Sequence, residues 1–181
     1  MRLPDLGRRG QGWVWLQVVL MAAVPLVAGS APPWPSALRV LMAAIGAVLI
    51  LAGCVLMVLG ILGLGQSFAV PPGPGANAQL VTTGIYARAR HPIFGAWILM
   101  GWGFGVALSP WAIPVAALLM LELLGKTAVE ERFLAARYSQ YHEYLALVPR
   151  KFLPRLGRAQ HPSATPPSPP RGGSRPLPSA D

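Results

Sequence analysis

Hydrophobic positions in this chain form long unbroken runs rather than alternating with polar ones. Trp13 to Ala28 has Gln17 as its only polar side chain, and Val40 to Gly65 carries no charge. A helix over those 26 residues, at about 1.5 Å per residue, reaches roughly 39 Å, enough to span a bilayer with tilt. After Pro92 a third run, Ile93–Leu108, is punctuated by Ser109-Pro110 and resumes as Trp111–Leu121. The two halves are each short for a span and read as a tight helical hairpin. Pro92 suits the first position of a helix, and Pro114 lies in the first turn of the next. The pattern predicts an all-α, polytopic membrane protein with about four transmembrane helices, the last two forming a C-terminal hairpin.

The pattern changes after Gly125. Val129, Phe133, Ala136, Tyr141, Tyr144 and Val148 share one helical stripe, with charges on the other face. Lys126 to Leu147 is therefore expected as an amphipathic helix on the cytoplasmic surface rather than a span. "SAPPWPS" at 30–36 and "PPGPG" at 71–75 break the chain. The 66–91 connection is too long for an idle loop, which marks it as functional. Residues 157–181, rich in Pro, Ser, Arg and Gly, have almost nothing to bury and are expected to be disordered. The chain thus divides into a basic segment 1–11, a membrane domain 12–154 and a tail 155–181.

Composition sharpens this. Hydrophobic residues are 54% of the chain and charged ones only 12%, half the share of a soluble domain. The net charge of +9 lies in segments flanking the apolar runs, without interleaved aromatics. It is read as a membrane-orientation signal, not a nucleic-acid footprint. Three Arg precede the first run, two lie in the 66–91 loop and nine Lys or Arg follow residue 125. Four spans with both termini cytoplasmic satisfy that distribution. Thirteen Arg against two Lys, with abundant Ala, Gly and Pro, suggest a high-GC bacterial source and so the inner membrane. The small residues at 28–30 also resemble a signal-peptide cleavage site. The compact polytopic chain that follows favours a retained first helix. Trp13, Trp15 and Trp34 suit interfacial belts. Gly46, Gly53 and Gly60 recur every seven residues on one face, where another helix can approach. Cys54 reads as a small core residue, with no partner for a disulfide or a metal cluster.

Candidate chemistry sits at the ends of the spans. Tyr86, Arg88, Arg90 and His91 precede the hairpin; Glu122, Lys126, Glu130 and Glu131 follow it. Each has a plain alternative: topology determinants, a helix cap, or a Glu122–Lys126 pair at the favourable spacing. Glu130 and Glu131 would suit the dipole at a helix start. The hairpin between the two clusters returns both to one side of the membrane.

Taken in order, "LVTTGIYARARHPIF", a hairpin and "EERFLAARYSQYHEYLALVPRKFLP" resemble the isoprenylcysteine carboxyl methyltransferase family, in the wider group with phospholipid N-methyltransferases. The resemblance covers residues 66–154. It rests on Leu80, Val81, Gly84, Tyr86, Arg90, His91, Pro92, Glu130, Glu131, Leu134, Tyr141, Tyr144, Val148 and Pro149. It implies an integral-membrane methyltransferase using S-adenosylmethionine, held by Leu80, Val81, Tyr86, His91, Pro92, Phe94 and Glu131. It also implies no metal. Lys126 stands where eukaryotic members carry an Arg near the methyl acceptor. Glu130 or His91 would take a proton from an amine or thiol acceptor. The implied partner is a lipophilic small molecule or a prenylcysteine-like carboxylate arriving from the lipid. Phe94 departs from the family's Tyr, Lys126 from its Arg, and Tyr138-Ser139 from its Phe-Gly. The competing expectations are a non-catalytic membrane accessory protein of the same fold and a reductase-like lipid-binding protein.

Overall fold

The computed structural model describes residues 4, 6, 10–67 and 79–154. The arginines of the N-terminal segment, the Pro-Gly stretch at 71–75 and the 155–181 tail lie outside the described residues. Five α-helices follow in order: α1 Gln11–Ser30, α2 Ser36–Leu64, α3 Pro92–Leu108, α4 Ile113–Arg137 and α5 Tyr141–Leu147. Short 3-10 turns occupy Gly65–Ser67, Gly84–Ala87 and Pro110–Ala112. α1, α2 and the helix ending at Arg137 are long and apolar enough to cross a membrane; α3 is apolar but shorter. The protein is a polytopic α-helical membrane protein, and α3 and α4 form the hairpin expected around Ser109-Pro110.

Close packing is centred on α3. α2 lies along α3 through the face that carries Gly46, Gly53 and Gly60, all buried. A Cβ on Gly46 would stand 2.5 Å from the backbone nitrogen of Ala107 and from the Gly103 carbonyl oxygen. One on Gly53 would meet Met100 Cγ at 2.6 Å and Ala96 O at 2.9 Å. The helices approach to backbone contact because these positions carry no side chain, the usual means of helix association in lipid. α1 packs on α3 and α4, where Val24, Ala116, Leu119 and Leu123 form a small core. α1 and α2 each pack on α3 rather than on one another.

Polar contacts close one end of the bundle. Ser109 Oγ donates to the Pro32 carbonyl at 2.7 Å, and Trp34 Nε1 donates to the Val106 carbonyl at 2.8 Å. The α1–α2 turn is thereby tied to the hairpin turn. At the opposite end lie the start of α1, the end of α2, the 79–91 segment, the last turns of α4, and α5.

Several expectations are revised. The amphipathic stretch is not one surface helix. α4 runs unbroken from Ile113 through Lys126 to Arg137, and the stripe divides at 138–140. No breaker precedes Tyr138-Ser139, and buried Lys126, Thr127 and Val129 keep the helix in the bundle. Only α5 is a separate short helix. Glu130 and Glu131 therefore lie within α4, away from any helix start, so the dipole does not account for them. Trp13 is buried, with Nε1 donating to the Pro4 carbonyl at 3.0 Å, and Trp34 serves the turn latch. Trp15 alone of the three is freely exposed, at 71%. Cys54 faces outward and is not a core residue.

The α2–α3 contact yields a direct expectation. Gly46→Val drives side-chain atoms into the α3 backbone and should destabilise the protein by about 1–3 kcal/mol. Gly29→Ala, which meets nothing within 4 Å, should be neutral or slightly stabilising. Thermal unfolding of both variants in detergent micelles checks this.

Candidate functional site

A cavity of about 310 Å³ opens at the α5 end of the bundle, within the size range of small-molecule sites. Val14, Gln17, Val18 and Met21 of α1 border it on one side, and Met57, Ile61 and Leu64 of α2 on the other. Ile93, Phe94 and Trp97 of α3 form its floor, and its wall is mainly apolar. Polar groups converge from the 79–91 segment, α4 and α5: Arg90, His91, Lys126, Glu130, Tyr141 and Tyr144. Of the two clusters read from the sequence, Tyr86, Arg90, His91, Lys126 and Glu130 are thus brought together, whereas Glu122 and the exposed Arg88 do not border the cavity.

His91 caps α3 through its backbone while its ring turns to α4. Its Nε2 stands 3.3 Å from Glu131 Oε1 and its Nδ1 3.8 Å from Glu130 Oε1. The same Glu131 oxygen accepts from Arg90 Nε at 3.0 Å and lies 3.0 Å from Arg90 Nη2, while Lys151 Nζ approaches Oε2 at 3.7 Å. Arg90 Nη1 also donates to the Val148 carbonyl. One planar guanidinium thus ties α4 to the strap that follows α5, as a fork can and an ammonium cannot. The strap pairs with the loop through its backbone. Arg90 N donates to Arg150 O at 3.0 Å and His91 N to Lys151 O at 2.6 Å. Gly95 gives it room, since a Cβ there would lie 2.4 Å from the Phe152 carbonyl oxygen.

Phe94 lies close to both His91 and Lys126. Its ring stacks on His91 with centroids 5.6 Å apart and planes 10° from parallel, and Lys126 Nζ sits 5.0 Å from its centroid. The flat face expected from the family's Tyr therefore survives, without the hydroxyl. Lys126 is 2% exposed and donates to Gln17 Oε1 of α1. The anticipated Glu122–Lys126 surface pair is not formed. Both residues are buried, and neither carboxylate oxygen of Glu122 has a hydrogen-bond partner among the described residues.

Three tyrosines close the α5 side. Tyr86 donates to the Gly60 carbonyl at 3.2 Å, and Tyr144 donates to the Tyr86 carbonyl at 2.7 Å. Tyr141 is 1% exposed, and its hydroxyl has no hydrogen-bond partner among the described residues. Burial pushes all three phenols well above the ordinary tyrosine range, so they remain hydrogen-bond donors.

Of the residues expected from the sequence, Leu80, Val81, Tyr86, His91, Phe94, Lys126 and Glu130 border the cavity. Pro92 is buried at the start of α3 without bordering it, and Glu131 stands behind His91 and Arg90. Among the bordering residues that the sequence did not point to for the site are Gln17, Tyr141 and Tyr144. Gln17 had a signal, as the single polar side chain of its run, and the tyrosines lay within the motif.

A sequence model of the phospholipid methyltransferase family matches residues 41–141. The chain belongs to the phospholipid methyltransferase family. The matched segment holds most of α2, the 79–91 segment, the hairpin and Tyr141, and so most of the polar wall; α1 and the strap lie outside it. The cobalt-zinc-cadmium resistance protein CzcN of Cupriavidus metallidurans is 33% identical over 82 residues. That alignment covers 44% of this chain and 38% of that protein.

The ion-pair web carries a stability expectation. Arg90→Met leaves Glu131 and the Val148 carbonyl short of their donor and should cost about 3 kcal/mol. Arg88→Met, at an exposed position, should change stability by no more than about 0.5 kcal/mol. Denaturant or thermal unfolding in micelles compares the two.

Proposed function

We propose that the protein is an S-adenosylmethionine-dependent methyltransferase of the inner membrane acting on a lipophilic small molecule or lipid, with its cavity at the cytoplasmic surface. The carrying observation is the cavity itself, with apolar walls from α1 and α2 and a polar wall from the 79–91 segment, α4 and α5. Methyltransferases of this family generally use S-adenosylmethionine, and the residues present fit it. The stacked His91–Phe94 pair offers an aromatic face to a purine. Glu130 offers an acceptor for an ammonium or for ribose hydroxyls. The positive end of the α3 dipole, at a first turn that opens on Pro92, suits a carboxylate. When bound, the cofactor supplies an electrophilic methyl group. The protein's part is to align it with the acceptor, which accounts for much of the rate in such transfers.

In this reading Glu130 is the glutamate that faces the ligands, and Glu131 orients His91 and Arg90 from behind. Lys126, held by Gln17 beside Phe94, lies on the acceptor side. For an amine or thiol acceptor, His91 or Glu130 receives the proton; a carboxylate acceptor needs no base. The acceptor enters between α1 and α2, which pack on α3 and not on each other, so lipid borders the gap.

Calorimetric titration of the protein in lipid nanodiscs with S-adenosylmethionine and with its demethylated product tests this. Micromolar binding is expected. His91→Ala and Glu130→Gln should each weaken it at least tenfold, and Glu131→Ala should weaken it by releasing His91. A folded wild-type protein that binds neither compound would overturn the enzyme reading in favour of an accessory protein of the same fold.

A further inference from the structure

Three buried tyrosines border the cavity, and two are spent on the fold. The Tyr86 hydroxyl holds the Gly60 carbonyl of α2, and the Tyr144 hydroxyl holds the Tyr86 carbonyl. Tyr141, one turn before Tyr144 on α5, is more deeply buried than either, yet its oxygen has no hydrogen-bond partner among the described residues. A buried hydroxyl without a partner carries a desolvation cost that nothing among the described residues returns. Most native proteins satisfy such groups. Phenylalanine would fill the same space among Leu80, Leu134 and Tyr144 without that cost. The hydroxyl therefore works against the stability of the ligand-free protein.

We propose that Tyr141 is a ligand-contacting residue, whose hydroxyl donates a hydrogen bond to an oxygen at the polar end of the bound cofactor. This rests on the S-adenosylmethionine reading above. The placement supports it: Tyr141 borders the cavity on the same wall as Arg90 and Glu130, away from the apolar faces of α1 and α2. A donor is the chemistry this wall needs for a carboxylate or a ribose hydroxyl, because Arg90 is already committed to Glu131 and Val148. Tyr144, whose hydroxyl is used within the fold, is the internal control.

The test compares Tyr141→Phe and Tyr144→Phe with wild type in nanodiscs, by thermal unfolding without ligand and by calorimetric titration. The probes are S-adenosylmethionine and 5′-methylthioadenosine, which lacks the amino-acid moiety. Tyr141→Phe should unfold at the wild-type temperature or higher and bind S-adenosylmethionine about tenfold more weakly. Tyr144→Phe should lower the unfolding temperature. An equal loss with both probes assigns the contact to the ribose; a loss confined to S-adenosylmethionine assigns it to the carboxylate. Wild-type binding unchanged in Tyr141→Phe would overturn this proposal and leave the cofactor reading intact. So would a ligand-free destabilisation like that of Tyr144→Phe, which would make Tyr141 a packing residue. Absence of binding by wild type would overturn the cofactor reading and this proposal with it.

Discussion

The carboxylate of Glu131 is the point on which the site depends. Arg90, His91 and Lys151 all turn toward it, from a loop before α3 and a strap after α5. Side-chain exposure is 7% at Arg90 and 18% at Glu131, so water does little to weaken the attraction. A buried charge without its partners is costly, and that cost drives the three segments together. Their meeting sets the direction of the His91 ring, and with it the stack on Phe94. The site's geometry thus follows from an electrostatic requirement placed just behind it.

The second constraint is packing among helices in an apolar surrounding. Lipid gives no hydrophobic reason for one helix to prefer another, so contact is decided by how closely backbones approach. The glycines of α2 and Gly103 of α3 permit that approach, and α2 is held to α3 along its length. α1 finds its partners on α3 and α4 instead. The space left between α1 and α2 is the cavity, so the packing that stabilises the bundle also shapes the room for a ligand.

Polar groups inside such a bundle are expensive, and most here are answered. Gln17 accepts from Lys126, Ser109 and Trp34 latch the far turns, and Tyr86 and Tyr144 bond to backbone carbonyls. Among the described residues Glu122 and Tyr141 are the exceptions, with buried oxygens lacking hydrogen-bond partners. Glu122 lies one turn before Lys126, in a helix long enough to span, and nothing among the described residues satisfies it. An ionisable group held in a span at such cost is a common mark of function. Tyr141 differs in bordering the cavity.

The order of residues determined the all-helical membrane fold, the hairpin at Ser109-Pro110 and the glycine face of α2. These are local properties: run length, helix-breaking prolines and a seven-residue spacing each act within a few turns. The same local reading placed Tyr86, His91 and Glu130 at one membrane side, because a hairpin returns the chain to where it began. The family resemblance assigned Glu131 to the cofactor and Glu130 to proton transfer, but adjacent helical positions point about 100° apart, and only the packing of α4 decides that Glu130 borders the cavity and Glu131 does not. The local reading could not foresee that Lys126 would bond to Gln17 of α1 instead of pairing with Glu122. It joined the stripe from Val129 to Val148 into one helix, where α4 continues through the bundle and α5 breaks away. Those outcomes rest on contacts between residues far apart in the chain, which exist only once the helices have packed, so they belong to the tertiary structure alone.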